Sequence, residues 1–513
     1  MKKIIALILV AIMLLAVLIS CKNNNGPSNG DGSSSGSDNS DIVENGDSDD
    51  SSSSSDTESY VNDEDTLGEY DFGGKEINIV TRGSTEYEYQ SRAGLKGTIV
   101  DKAVYTRETS VENRFKVVIN IIPMAADWND QKEFSEKLYA EYLSPSGNWH
   151  IISAHATLLY RMVPRGCFLD LDAVENVDMS KVWWSELLYN EMNIDGHMYV
   201  AMGDITYTLY EYMQVMFYNQ TQLEAICGED ANNELYSLVK EGGWTWEKLE
   251  QYAKQFGSGD ESLGGDGKYG FILNSHAFRA TFASMDTKFD QKDANGLMFY
   301  PDTPSERLVN SVELINEITE MPNAMFTGGG DDAQATQNKL FAAGNVLFYP
   351  QVLQAARSIT STMEENFGLV PYPKYDEFQD DYKTICKSSV SAVGIMSTVV
   401  TSDDQLVVGT VLEALCMEGY KGVIPAYYNT ALQKQYLNDV RSTEMLETIR
   451  AGLTVGSVAS LYVDNALFSY AFEEGVLGAG SVDVASTYAK GVTKARQEIE
   501  KFYTTMREMG LAS

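Results

Sequence analysis

Five cysteines, four histidines and 74 acidic residues are the side chains of this chain most able to do chemistry. Their spacing argues against most of it. Cys167, Cys227, Cys386 and Cys416 lie far apart, in no C-x-x-C or other metal-ligand pattern. Their even number permits two disulfides in three pairings, or four small buried thiols, since a body this large needs no staples. His150, His155, His197 and His276 lack the helical pair spacing of a zinc site, so neither a metal nor a cofactor is expected. Gly-x-Ser-x-Gly occurs only within the Ser/Gly/Asn/Asp-rich stretch, at Gly26–Gly30 and Gly32–Gly36, whose composition offers no strand and helix to hold a nucleophile between them, and His-Glu-x-x-His and Walker-type loops do not occur. The acids are plentiful, but none stands in a motif that pairs two of them across a scissile bond. The expectation is a protein that is not an enzyme.

The elements that must position these residues begin at Asp71. Glu76-Ile77-Asn78-Ile79-Val80-Thr81 alternates polar and apolar residues after Gly73-Gly74, which predicts a strand. Val104, Val111 and Phe115 recur at helical intervals, predicting a helix over 101–114. Residues 117–122 read as a second strand stopped by Pro123, 131–142 as a helix, and Ile151-Ile152 and Cys167-Phe168-Leu169-Asp170-Leu171 as further short apolar runs. This βαβαβ rhythm predicts an α/β fold with a mainly parallel sheet, and such sheets bind ligands beyond the carboxyl ends of their strands. Residues 82–86 and 153–157 are therefore candidate crevice loops. By length, residues 71–513 make two or three domains, with no second hydrophobic stretch long enough to span a membrane.

The N-terminus is of another kind. Lys2 and Lys3 precede an apolar run over residues 4–19, followed by Ser20 and Cys21. This resembles the lipobox of bacterial lipoproteins, which implies that residues 1–20 are a signal peptide, lost on processing, and that Cys21 becomes lipidated and membrane-anchored. The expected location is extracytoplasmic. Residues 21–70 are Ser, Gly, Asn and Asp with almost nothing apolar, a composition that predicts a disordered acidic tether with a reach of roughly 40 Å. Residues 71–513 hold 61 acids against 35 bases. That balance excludes nucleic acid as a partner and excludes binding to anionic lipid through a basic patch.

Beyond Asp71 the order of several motifs resembles the extracellular solute-binding proteins of carbohydrate ABC transporters, the superfamily that includes maltose-binding protein. The resemblance runs through Asp101-Lys102-Ala103-Val104-Tyr105-Thr106-Arg107, Val111-Glu112-Asn113-Arg114-Phe115, Val215-Met216-Phe217-Tyr218-Asn219, Leu235-Tyr236 and Gly243-Trp244-Thr245-Trp246-Glu247-Lys248-Leu249. It continues through Gly267-Lys268-Tyr269-Gly270-Phe271, residues 341–348, Phe367-Gly368-Leu369-Val370-Pro371-Tyr372-Pro373-Lys374 and Ile424-Pro425-Ala426-Tyr427-Tyr428. It implies a two-lobed, periplasmic-binding-protein-like (Venus-flytrap) fold with hinge crossings. Lobe 1 would comprise residues 71–210 plus 384–424, and lobe 2 residues 211–383 plus 425–513. It also implies the function: capture of a sugar or oligosaccharide between the lobes and delivery to the permease subunits of an ABC importer. Pyranose faces need flat aromatic surface and their hydroxyls need amides, carboxylates or guanidinium groups. On that basis the expected ligand-binding residues are Arg82, Thr85 and Glu86, His155, Tyr207, Tyr210 and Glu211, Asn274 and His276, Tyr349 and Gln351, and Tyr427 and Tyr428.

Plain structural readings stand beside these. Thr245 is placed to cap a helix starting at Trp246, with Trp244 and Trp246 packing against the lobe. Gly344 to Pro350 reads as a turn into a buried strand, with Tyr349 and Gln351 divided between core and cleft. Two alternative functions remain at this point. One is a ferric-ion or other small-solute binder of the same superfold using Tyr427-Tyr428 as phenolate ligands, although no carboxylate and histidine partners are identifiable. The other is a surface-anchored glycoside hydrolase, which would need two carboxylates roughly 5–10 Å apart. The particular sugar is not written in the sequence.

Overall fold

The computed structural model of the chain describes residues 62–91, 93–257, 267–327, 331–428, 440–464, 466, 467, 472 and 483–512, with the backbone alone for residues 275, 276, 331, 332 and 440. The expected signal peptide, Cys21 and nearly all of the expected tether lie outside these residues. Among the described residues no helix is long and apolar enough to cross a membrane.

Nine strands carry the fold: β1 (Lys75–Arg82), β2 (Val117–Met124), β3 (Ile151–His155), β4 (Gln214–Asn219), β5 (Tyr269–Asn274), β6 (Ala324–Thr327), β7 (Val346–Val352), β8 (Phe367–Val370) and β9 (Ser391–Ile395). They form two sheets. The first has the order β9-β3-β1-β2, with β1, β2 and β3 parallel and β9 antiparallel to β3. The second has the order β8-β4-β7-β5-β6, in which β4 runs against both neighbours and β5 runs with both of its own. Strands β3, β4, β5 and β7 are buried along their whole length, which is why they read as continuous apolar runs rather than alternating ones.

The helices used below are α1 (Ile99–Phe115), α2 (Gln131–Leu143), α3 (Ala156–Met162), α4 (Trp246–Ala253) and α5 (Ser275–Ser284), then α6 (Asp331–Ala342), α7 (Ala356–Thr362), α8 (Ser402–Glu418), α9 (Val440–Ala451) and α10 (Val484–Glu508). Local chemistry sets their starts. Thr98 and Asp101 form a capping box at α1, each side chain accepting from the other's backbone N–H. Thr245 accepts from the Lys248 N–H at 3.3 Å, as a cap before Trp246 should. Trp246 itself is 1% exposed, and its indole donates to Ser284 Oγ at 3.1 Å.

Two readings of the sequence need correction. Pro123 does not stop the second strand, because β2 continues to Met124 with Pro123 opposite Thr81. β2 is the edge of its sheet, where a missing N–H can face outward without breaking a ladder. The 167–171 run forms no strand: Phe168 makes a single bridge to Met396 and the chain turns into a short 3-10 helix at Leu171–Ala173. The first sheet is completed instead by β9, from far along the chain.

The chain passes between the two sheets three times. The first two passes lie side by side: Met213 and Cys386 form an antiparallel bridge, and the Lys387 N–H donates to Tyr212 O at 2.9 Å. In the third, α8 loosens into a π-helical turn at Gly419–Val423, and the chain resumes as α9 against β8, where Ser442 Oγ accepts from the Leu369 N–H. Gly419 is needed for this approach, since a Cβ there would sit 2.0 Å from the Asp204 carbonyl oxygen. The C-terminal segment touches both bodies. Tyr503 Oη accepts from the Met298 N–H, while Tyr199 donates to Leu511 O and Tyr462 to Met192 O. All four cysteines of the described body are free thiols, two of them buried.

Candidate functional site

Three loops of the first body meet where β1, β2 and β3 end. Arg82, buried at the end of β1, reaches Thr85 Oγ1 and Ser391 Oγ at 3.5 Å each and the Asp127 carboxylate at 3.5 Å. Ser84 ties the same Asp127 to the β1 loop at 2.8 Å. Trp128, just past β2, is 47% exposed, and its ring lies 5.6 Å from that of His155 and 5.7 Å from the Arg161 guanidinium. His155 caps the end of β3 and is buried with Nδ1 unpartnered. Burial, then the cations Arg82, Arg161 and Lys387, push its imidazole down to about 3, so it is neutral at physiological pH.

Behind these loops the passes between the bodies carry an aromatic row. Ring centroids step from Tyr87 to Tyr207 (5.5 Å), Tyr207 to Tyr427 (5.6 Å), Tyr427 to Tyr428 (6.0 Å) and Tyr428 to Tyr210 (5.2 Å). Arg450 stacks on Tyr210 and Tyr428, and Tyr210 donates to Asp204. At the open end of the row Tyr87 donates to Glu211 Oε2 at 2.9 Å. Burial pushes the Glu211 carboxyl up to about 7.

The second body faces this with a cleft of about 720 Å³, within the range of small-ligand sites. Its wall is built of amides: Gln334 and Asn338 on α6, Gln351 at the end of β7, and Gln354 beyond it. Hydroxyls of Tyr212, Ser358, Thr360 and Ser361 and the cations Arg357 and Lys387 complete it. The amides are held in fixed poses. Gln351 accepts from Gln334 Nε2 at 3.0 Å and from the Val352 N–H at 2.9 Å, and donates to Tyr349 Oη at 2.8 Å. Tyr349 in turn donates to Asn338 Oδ1 at 2.7 Å. These bonds use one lone pair of Asn338 Oδ1 and one Gln334 N–H, and both residues line the cleft. Amide and hydroxyl groups of this kind can both donate and accept hydrogen bonds.

Not all residues expected at the site meet there. Arg82, Thr85 and His155 cluster at the strand ends of the first body, with Glu86 in the same loop. Gln351 lines the cleft and Glu211 lies beside it, accepting from the lining residue Gln354, whereas Tyr207, Tyr210, Tyr427 and Tyr428 form the buried row behind it. Tyr349 is 0% exposed, with its ring 5.3 Å from Phe341, so only its hydroxyl serves the wall. Asn274 is occupied in capping α5 through the Ala277 N–H and in donating to Gln337 at 2.8 Å. His276 lies in the first turn of α5, and its side chain is outside the described residues. Sequence reasoning missed Tyr87, Trp128, Tyr212, Gln334, Asn338, Gln354, Arg357 and Lys387. Trp128 was findable: it lies in the loop after the second parallel strand, where the strand-end rule applies as it does after the first and third.

Two α/β bodies, three passes of chain between them and a polar cleft beside those passes define a two-lobed solute-binding protein. The chain belongs to the bacterial extracellular solute-binding proteins, whose family profile matches residues 113–405, more than half of its length. No curated protein matches it in sequence. Among solved structures it is similar to the galacto-N-biose/lacto-N-biose I-binding protein of an ABC transporter from Bifidobacterium longum, at 11% identity and a TM-score of 0.53 over 84% of this chain and 99% of that one. It is also similar to the cyclic alpha-maltosyl-1,6-maltose binding protein from Arthrobacter globiformis (12%, TM-score 0.52, 84% and 100%). A third is UgpB from Mycobacterium tuberculosis in complex with glycerophosphocholine (13%, TM-score 0.51, 85% and 100%). At these identities the likeness is one of fold.

Proposed function

We propose that this protein captures a sugar or oligosaccharide between its two lobes and hands it unchanged to the permease subunits of an ABC importer. The observation that carries the reading is the amide wall of Gln334, Asn338, Gln351 and Gln354, the middle two tied to Tyr349, Gln334 to Gln351 and Gln354 to Glu211, and suited to hydroxyl groups rather than to a reaction. Two of the similar structures are proteins named for oligosaccharides, which supports the same ligand class. Lobe 1 spans residues 71–210 and 384–424 and lobe 2 residues 211–383 and 425–513, with the C-terminal segment reaching back onto lobe 1. Arg82, Thr85, Glu86 and His155 line the lobe 1 side with Trp128 as its aromatic platform, Gln351 serves the opposite side, Glu211 joins the two from the floor, and the tyrosine row supports the hinge. Cys21 carries the lipid that holds the protein at the outer face of the membrane. Among the described residues no group of three His, Cys, Asp or Glu side chains is placed to hold a metal ion, and nothing favours the ferric reading over the sugar.

A thermal-shift screen of the full chain against plant, host and bacterial glycans tests this. A ligand at a hundredfold over its Kd adds about 2.7 kcal/mol to stability, a readable shift. Hydrolysis of the oligosaccharide in the same tubes would replace the transport reading with an enzymatic one.

A further inference from the structure

The sign of the charge inverts at the cleft. Residues 71–513 hold 61 acids against 35 bases, yet the wall of the cleft carries Arg357 and Lys387 and no carboxylate. Arg357 is exposed, and the one carboxylate it attracts among those with a shifted pKa is Glu211, whose own shift is dominated by burial. At the strand ends of lobe 1, Arg82 and Arg161 are each offset by a carboxylate of their own, Asp127 and Asp464. His155 is kept neutral first by its burial, and Arg82, Arg161 and Lys387 also oppose its protonation. Several nearby acids have partners of their own: Asp127 with Arg82 and Ser84, Asp464 with Arg161 at 2.5 Å, Glu211 with Tyr87 and Gln354, and Glu88 with Ser391 and the Thr208 N–H. A neutral sugar would ask for none of this.

We infer that the ligand is an anionic oligosaccharide, one bearing carboxylate or sulfate groups, whose charge is received by Arg357 and Lys387 while its hydroxyls are read by the amide wall. This rests on the sugar reading and narrows it. A guanidinium offers a planar fork to a carboxylate or sulfate, and the ammonium of Lys387 adds a second point charge without a fixed direction. The overall acidity of the body would slow approach of such a ligand at low salt, so the local cations act on retention more than on encounter.

The test is isothermal titration of the full chain, produced without its lipid, with tetragalacturonate, its full methyl ester, a sulfated chondroitin disaccharide and neutral maltotetraose and cellotetraose. The inference predicts that at least one anionic probe binds, and does so about tenfold or more tighter than the neutral ones. Which of tetragalacturonate and the sulfated disaccharide binds tells carboxylate from sulfate. The double variant Arg357→Gln, Lys387→Gln should erase that preference while still binding the neutral hydroxyl-bearing part of the ligand and melting in a single cooperative transition, and retained preference in the folded variant would overturn the role given to these two cations. If a neutral probe or the methyl ester binds as tightly as the anionic ones, the anionic class is overturned and the sugar reading stands. If no carbohydrate binds, the sugar reading fails and takes this inference with it.

Discussion

The Tyr87 hydroxyl and the Gln354 amide both donate to one carboxylate oxygen of Glu211, at 2.9 and 3.3 Å. Tyr87 follows β1, Glu211 sits on the first pass between the bodies and Gln354 follows β7, so this oxygen joins both sides of the cleft to its floor.

Glu211 should make stability depend on pH. Its folded pKa is raised to about 7 from the usual 4.5, so between those values the folded chain holds a proton that the unfolded chain has lost. Its contribution is fully present below about 4.5 and disappears as pH rises through 7. Glu211→Gln keeps the acceptor for Tyr87 and needs no proton. The variant should match the parent near pH 5 and exceed it at pH 8, by up to about 3 kcal/mol. Thermal melts of both proteins across that range check this, and a difference that does not grow with pH would remove Glu211 from the buried position given to it.

Trp128 and Trp246 should respond in opposite ways. Trp128→Ala removes an exposed ring beside His155 and Arg161, and should weaken ligand binding by about 1–3 kcal/mol with little change in melting temperature. Trp246→Ala empties a site packed against Tyr372 and Phe271, and should cost about 3–5 kcal/mol of stability. Titration and melting of the two variants separate platform from scaffold.

Tyr349 offers a finer cut. Tyr349→Phe keeps the buried ring against Phe341 but removes the hydroxyl that sets Gln351 and Asn338, so affinity should fall by about 1 kcal/mol or more with only a small loss of stability. Tyr349→Ala should lose both. Equal affinity of the Phe variant and the parent would mean that the amide wall does not read the ligand.

These contrasts also show what the sequence could and could not reveal. The alternating run at 76–81, the helical spacing over 101–115 and the Thr245 cap are local patterns, and each became the element it predicts. Strand-end loops were legible for the same reason, which brought Arg82, Thr85 and His155 to the site. Tyr349 was undecidable, because a tyrosine in a buried strand can point its ring inward and still present a hydroxyl to a cleft. Gln334, Asn338 and Arg357 are ordinary helix-surface residues in sequence. Only the packing of α6 and α7 beside β7, together with the first two passes of chain at Tyr212 and Lys387, makes them a wall. Pro123 was misread because nothing local distinguishes an edge strand from a central one.

Anchoring is tested separately from binding. Cys21→Ser should leave the protein uncleaved at the lipobox or free of the membrane fraction, since the lipid supplies the membrane affinity. The same variant should bind ligand as the parent does. Fractionation unchanged by the substitution would contradict lipidation at Cys21.

The central claim is that the two lobes close on a sugar and that binding energy is spent on that closure. Small-angle scattering of the full chain, with and without a saturating oligosaccharide found in the glycan screen, tests it most directly. The account predicts a smaller radius of gyration with ligand and recovery of the oligosaccharide intact afterwards. An unchanged radius with ligand demonstrably bound, or a cleaved oligosaccharide, would contradict it.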